Sequence, residues 1–133
     1  MLRMYMIPAT MLCRKHLRLE HSNCHALLKL IGTGTTFDEL IEAEYIQPMS
    51  LFHRHSDLAF EMLRRGMKHN SPLLIQDFVD NCWYLQGKEK EAMVDVLKAK
   101  QDLLECPCCD IRISWVEALI HDYSFSSNTC GVD

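Results

Sequence analysis

The sequence predicts an all-α protein that folds as a single compact helical domain. The chain of 133 residues is 48% hydrophobic, which is enough to build one core. Apolar residues recur at helical spacing between proline and glycine breaks. No run of alternating β-branched residues is long enough to predict a sheet. We therefore expect one helical domain over residues 1–123, with the N-terminal segment packed against the helices, and a flexible tail over residues 124–133.

Capping residues and helix breakers predict where the helices begin and end. Pro8 can occupy a first helical turn, and the GTGTT cluster at residues 32–36 ends the helix that follows. Ser71 and Pro72 have the order of an N-cap and a first helical residue. The segment ECPCCD interrupts the helical pattern. We expect six helices, over residues 9–31, 37–45, 51–65, 72–86, 89–104 and 115–123.

The N-terminus does not have the composition of a targeting or membrane segment. Arg3 and Arg14 interrupt the stretch that a signal peptide would keep apolar, and no apolar run approaches the roughly 18 residues of a membrane span. We therefore expect a cytoplasmic protein without a membrane partner. Seven cysteines at irregular spacing then indicate reduced thiols or metal ligands before a disulfide framework.

Basic residues are concentrated at the start of the chain. Residues 1–31 hold five lysines and arginines and one acid, a balance of +4, so the other residues carry −8 within the total net charge of −4. A second basic group lies in residues 54–69, with Arg54, Arg64 and Arg65. Because phosphate neutralisation supplies most non-specific nucleic-acid affinity, these stretches are the candidates for an anionic ligand. For Arg64 and Arg65 the alternative is a structural role at a helix C-terminus.

Three polar residues share one face of the first predicted helix. His16, Glu20 and Asn23 follow at i, i+4 and i+7, close to the leucine face of the helix. Taken alone, the pattern favours half-buried residues that hydrogen-bond one another. Arg3 and the amino terminus nearby in sequence favour a site instead, because a terminal amine can act as an imine-forming nucleophile and a carboxylate can move protons.

The segments RMYMIPATMLCRKHLRLEHSNCH and RHSDLAFEMLRRGMKHNSPL resemble the pyrimidine-dimer DNA glycosylases and abasic-site lyases of the phage endonuclease V type. The resemblance covers roughly residues 1–73. It implies an all-helical DNA-repair enzyme of the cytoplasm, or of the host-cell cytoplasm if the protein is phage-encoded. In that family the N-terminal amine attacks the sugar carbon of a damaged nucleotide, forms an imine with the DNA and cleaves the strand by β-elimination.

The resemblance implies site residues at particular positions of this chain. Arg3, His16 and Glu20 match residues of the family's site, which implies that Arg3 and His16 contact DNA or position groups. Asn23 stands where the family has its catalytic glutamate and cannot accept and return a proton. We expect Met1 to be retained because Leu2 is large. The candidate catalytic residues are therefore Met1, Glu20 and Asn23, and the candidate binding residues are Arg3, Arg14, His16, Arg18, Arg54, Arg64 and Arg65.

Some of the cysteines and histidines are candidate metal ligands. Cys106 and Cys109 have the spacing of half a zinc site, and their partners would have to be Cys82, His121 or Cys130. Half a site does not predict a bound metal or cofactor, and a redox pair or ordinary thiols are the alternatives. His21 and His25 lack the glutamate of a zinc-protease motif. His55 and His69 are expected to be core or phosphate-facing partners of Arg54 and Arg65.

Three functions are open at this point. The first is a pyrimidine-dimer glycosylase and lyase that acts on damaged duplex DNA through the Met1 amine. The second is a catalytically impaired member, such as a phage accessory or anti-defence protein, that binds nucleic acid or a small nucleotide without turnover. The third is an adaptor that binds a protein partner through the acidic C-terminal half, residues 74–133.

Overall fold

A computed structural model describes residues 1–130 of the chain, and the side chains of residues 1–121. Over that range the backbone forms short 3-10 turns at Ala9–Met11 and Pro48–Ser50 and no β-strand, which confirms the all-α class. None of the described helices is long and apolar enough to cross a membrane. The α-helices are α1 (Arg14–Gly32), α2 (Asp38–Glu42), α3 (Leu51–Arg64), α4 (Ile75–Cys82), α5 (Lys88–Glu91), α6 (Val96–Leu104) and α7 (Pro107–Cys130).

Helix α1 is the centre of the fold because its apolar residues lie on the sides that α3 and α4 cover. Leu17, Leu27 and Ile31 are fully buried at helical spacing along it, and α1 packs against both α3 and α4. Gly32 ends the helix against α4. A Cβ built there would lie 1.9 Å from the side-chain oxygen of Asn81, so the lack of a side chain permits this approach.

The N-terminal segment packs against the helices, as the sequence predicts. Met4, Tyr5 and Ile7 are buried in the same core as α1. The backbone N–H of Met4 donates to the carbonyl of Tyr45 at 2.7 Å, which joins the segment to the loop between α2 and α3. Burial of these side chains and this backbone hydrogen bond therefore fasten the segment to the helices and to the neighbouring loop.

The first helix starts later than the sequence predicts. Residues 9–11 form a separate 3-10 turn, Leu12 and Cys13 are extended, and α1 begins at Arg14. The physical reason is that Cys13, with φ −68° and ψ 166°, takes the N-cap conformation of a new helix. The prediction of one continuous helix from residue 9 was wrong, and the break gives Cys13 and His16 a place in the first turn of α1.

Other boundaries also differ from the prediction. The helix expected over residues 89–104 is divided into α5 and α6, because the N–H groups of Val94 and Asp95 donate to Gln47 and Glu44 and the Asp95 side chain caps α6. Helix α4 begins at Ile75 and not at Pro72.

The cysteine segment near the C-terminus begins a helix where an interruption was expected. Pro107 lies in the first turn of α7, a position that suits proline, and the helix continues from there to Cys130. Helix α7 packs on α6 and on the 3-10 turn at residues 9–11. It also runs through most of the segment predicted as a tail, of which residues 131–133 lie outside the described part of the chain.

Candidate functional site

Glu20, a candidate catalytic residue, is buried as one half of an ion pair. Its carboxylate is fully buried and Arg54 on α3 is 4% exposed. The Arg54 Nε and Nη2 atoms donate to the two Glu20 oxygens at 2.5 and 2.9 Å. This bidentate geometry occupies both partners, because each carboxylate oxygen receives one guanidinium N–H. The pair joins α1 to α3, and neither group faces solvent.

Arg3 and Asn23 are neighbours, and both have partners within the fold. The Asn23 side-chain amide donates to the Arg3 carbonyl at 3.1 Å. The Arg3 guanidinium lies over the rings of Tyr5 and Tyr45, at 4.6 and 4.0 Å from their centroids, and donates to Asp102 at 2.9 Å. Its Nε is buried and has no hydrogen-bond partner among the described residues. Asp102 belongs to α6, so Arg3 links the N-terminal segment to the C-terminal helices.

The two arginines at the end of α3 share Glu61. The hydrogen bond from Arg64, with that from Arg65, holds the pKa of the buried Glu61 carboxyl below its usual value despite the opposing effect of burial. Arg65 also donates through Nη2 to the carbonyl of Leu12 at 2.8 Å and to that of Ala9 at 3.2 Å. Arg65 thus ties the break before α1 to α3, and Arg64, whose side chain is 53% exposed, is the more accessible of the two.

His16 lies in a cluster with three cysteines. Its Nδ1 atom is 3.2 Å from the Cys13 sulfur and 3.4 Å from the Cys109 sulfur, and Cys106 completes the group. Burial, with a smaller contribution from the charge of Lys15, lowers the pKa of His16. The structure therefore brings Cys106 and Cys109 together with Cys13 and His16, and the sequence offered Cys82, His121 and Cys130 as their partners. Cys82 is buried on α4, His121 lies on the exposed surface of α7, and the Cys130 side chain is outside the described part.

Four histidines form a second cluster that sequence reasoning missed. His21 and His25 on α1 meet His55 on α3 and His69 beyond it, with Nε2–Nε2 distances of 2.9 Å for His69–His21 and 3.0 Å for His55–His25. Both His25 and His55 also lie 3.0 Å from the Ser71 carbonyl. Burial, together with the neighbouring imidazoles, lowers the pKa of His21 and of His55 to about 4.

This histidine cluster corrects two expectations. His55 and His69 were predicted to be partners of Arg54 and Arg65, whereas they contact other imidazoles, because Arg54 turns to Glu20 and Arg65 to Glu61. Ser71, which was predicted to be the N-cap of α4, contacts the rings through its carbonyl instead, and the N-cap is Leu74. The i, i+4 spacing of His21 and His25 was the sequence signal that these rings share a helix face. His21, His55 and His69 bring ring nitrogens within 4.8 Å of one another, a spacing that suits a metal ion as well.

The exposed basic residues lie along the outer face of α1. Arg14, Lys15 and Arg18 are exposed, and no acidic partner is found for them within the described part of the chain. They line a cleft of about 640 Å³ that also includes Leu19 and Ser22. A smaller cleft of about 280 Å³ adjoins it through Arg18 and Ser22. Its other lining residues are His21, Met62, Lys68, His69, Asn70 and Ser71.

The predicted binding residues therefore fall into two groups. Arg14 and Arg18 face solvent in a cleft, and Arg64 is also exposed, although it pairs with Glu61. The more buried group has partners inside the fold and consists of Arg3, His16, Arg54 and Arg65. The predicted catalytic residues divide similarly, since Met1 is 81% exposed while Glu20 and Asn23 are buried.

Comparison with known proteins identifies the family of this chain. Neither the curated proteins nor the solved structures give a match. A family model described as pyrimidine dimer DNA glycosylase matches residues 2–74, which is more than half of the chain and includes the ion pair, the histidine cluster and the basic face of α1. The chain belongs to the pyrimidine dimer DNA glycosylase family.

Proposed function

We propose that this family member binds DNA along the exposed basic face of α1 and does not cleave it through the N-terminal amine. The observation that carries the proposal is the unpaired row of Arg14, Lys15 and Arg18 in the cleft on α1. Lysine and arginine in a groove neutralise backbone phosphates and release counterions, which supplies most of the affinity of proteins for DNA.

The surface next to this row extends the basic track. Lys68 is exposed in the adjoining cleft and adds a cation beyond Arg18, and no acidic side chain lines either cleft among the described residues. Ser22 and Asn70 supply hydrogen-bond donors that suit phosphate oxygens. Because the overall charge of −4 disfavours indiscriminate binding, the affinity for DNA is expected to reside in this groove.

The buried residues support binding without turnover. In the lyase mechanism a carboxylate must exchange protons with the bound sugar. Glu20 is fully buried and both of its oxygens are held by Arg54, so it is in no position to replace the glutamate that the family carries where this chain has Asn23. Asn23 is itself hydrogen-bonded to the Arg3 backbone, which is a structural role.

A binding measurement tests the groove. We expect fluorescence anisotropy to show binding to duplex DNA. The logarithm of the association constant should fall linearly with the logarithm of the salt concentration. Arg18→Ala is expected to lower the association constant several-fold. It should also reduce the magnitude of the salt slope by about one, the contribution of one phosphate contact. Lys90→Ala, the same loss of charge at an exposed position on α5, is the matched control and should change neither value. Absence of binding at low salt, or equal effects of the two variants, would contradict the proposal.

The second candidate is the glycosylase and lyase itself. It is favoured by membership of the family and by the exposure of Met1, whose amine would be the nucleophile. Borohydride trapping on abasic and dimer-containing duplexes separates the two candidates, because it reduces the imine to a stable adduct. We expect no adduct under conditions that trap a known lyase. An adduct that is lost when the amino terminus is acetylated would overturn the proposal of binding without turnover.

A further inference from the structure

Four residues with metal-binding side chains meet where the first turns of α1 and α7 come together. They are Cys13, His16, Cys106 and Cys109, and their ligand atoms all lie within 4.8 Å of one another. We propose that these four residues hold a tetrahedral zinc ion, which fastens the C-terminal helices to the family domain. Three thiolates and one imidazole are a common ligand set of structural zinc sites.

The sequence supplies the ligands in two matched pairs. Cys13 and His16 form a Cys-x-x-His pair, and Cys106 and Cys109 form a Cys-x-x-Cys pair 90 residues further on. Two residues between ligands is a spacing typical of zinc sites, and two such pairs complete a site where one pair does not. The structure provides the second pair that the sequence alone did not identify.

The distances between the ligand atoms fit a zinc ion. With Zn–S bonds near 2.3 Å and Zn–N bonds near 2.0 Å, a tetrahedron places two sulfurs about 3.8 Å apart and a sulfur and a nitrogen about 3.5 Å apart. The Cys13 and Cys106 sulfurs are 4.0 Å apart. The His16 Nδ1 atom lies 3.2 and 3.4 Å from the Cys13 and Cys109 sulfurs. Shifts of a few tenths of an ångström would complete the tetrahedron.

The surroundings stabilise the negative charge of the ligands. The N–H of Cys13 lies 3.4 Å from the Cys109 sulfur and donates to it. A Cys₃His site with zinc keeps one negative charge, which the N-terminal ends of α1 and α7 and the adjacent Arg14 and Lys15 favour.

A disulfide explains the arrangement of these four residues less well than a zinc ion does, and the histidine cluster is a less suitable zinc site. The Cys13 and Cys106 sulfurs, at 4.0 Å, are about twice as far apart as bonded sulfurs, and a disulfide gives no role to the inward-facing Nδ1 of His16. The histidine cluster offers nitrogen ligands only, and its rings already contact one another and the Ser71 carbonyl. Thiolates are the softer ligands, and zinc prefers them in closed structural sites.

The metal content of the full-length protein tests the proposal first. After expression with zinc and purification under reducing conditions, elemental analysis is expected to find about one zinc per chain. Cobalt(II) added to the metal-free, reduced protein should give the thiolate charge-transfer and d–d absorption bands of a tetrahedral site. This spectrum needs no variant, so it remains informative if a ligand substitution prevents folding. Protein without zinc, combined with no tetrahedral cobalt spectrum, would overturn the proposal.

Single-residue variants then locate the ion. Cys106→Ser removes a half-buried ligand and is expected to lose the zinc, whereas Cys108→Ser, an identical change at an exposed neighbouring position, should retain it. His16→Cys should also retain it, because a fourth thiolate can replace the imidazole. If Cys106→Ser keeps the zinc and His55→Gln loses it, the ion belongs to the histidine cluster and the assignment is wrong.

Discussion

The family region, residues 2–74, buries polar side chains, whereas the C-terminal region exposes apolar ones over residues 75–121, where its side chains are described. The buried polar residues are Glu20, His21, Asn23, Arg54, His55 and Glu61, all in the family region. Most of the exposed large hydrophobic residues belong to the other region, and they include Trp83, Leu97, Trp115 and Leu119. One region therefore depends on polar groups that satisfy one another in its core, and the other covers part of that core with apolar residues.

The two regions also differ in how their polar groups are used. In the family region Glu20 lies buried on α1 and serves as the partner of Arg54. Where the two regions meet, the described polar links include Arg3–Asp102 and the cluster of Cys13, His16, Cys106 and Cys109. Substitutions inside the family region should therefore alter the stability of the whole fold, and those at the boundary should act mainly on the attachment of α6 and α7.

The largest effect is expected from breaking the buried ion pair. Arg54→Met leaves the fully buried Glu20 carboxylate without its partner, and such a charge typically costs about 3–5 kcal/mol of unfolding free energy. The measurement is denaturant unfolding followed by circular dichroism. The double variant Glu20→Leu with Arg54→Met removes both charges and should recover most of the loss. A single variant within about 0.5 kcal/mol of the wild type would show that the pair is not important for stability.

A smaller effect is expected from acid. The pKa of His21 and of His55 is about 4 in the folded protein and near 6.5 in the unfolded chain. As the pH falls below 6.5, the unfolded state therefore takes up protons first, and stability is lost until the folded protein is protonated near pH 4. A shift of this size corresponds to about 3 kcal/mol for one histidine, and coupling between the rings reduces the sum.

Comparison with a variant isolates the histidines from other acid-sensitive groups. His55→Gln keeps a polar side chain near the Ser71 carbonyl and removes one titrating ring. Its unfolding free energy should fall less steeply than that of the wild type between pH 6.5 and 4. Equal slopes for the two proteins would mean that the histidine cluster does not titrate as its burial implies.

Sequence reasoning recovered the helical class and the role of α1 because both depend on the spacing of apolar residues along one segment. The environment of Glu20 was not recoverable in this way, because its partner Arg54 lies 34 residues away on another helix. The pattern that predicts a half-buried helix face does not tell whether a carboxylate there meets solvent, substrate or an arginine.

The two side-chain clusters were missed for the same physical reason. The pairs Cys106–Cys109 and His21–His25 are visible in the sequence as local spacings. The residues that complete them, such as Cys13 and His69, come together only when α3 packs against α1 and the start of α7 meets the start of α1. The break before α1 was also missed, because the N-cap conformation of Cys13 is fixed together with contacts between Arg65 on α3 and the Ala9 and Leu12 carbonyls. Local spacing can predict half of such a site, and tertiary packing decides the other half.

The smallest effect is expected at the boundary ion pair. Asp102 is 43% exposed, and the Arg3 guanidinium keeps its contacts with Tyr5 and Tyr45 when the carboxylate is removed. We therefore expect Asp102→Asn to lower the unfolding free energy by less than about 1 kcal/mol, and by less still at high salt. Glu105→Gln, at an exposed acid near the end of α6, controls for the change in net charge. A loss as large as that of Arg54→Met would show that polar pairing matters at the boundary as much as in the core of the family region.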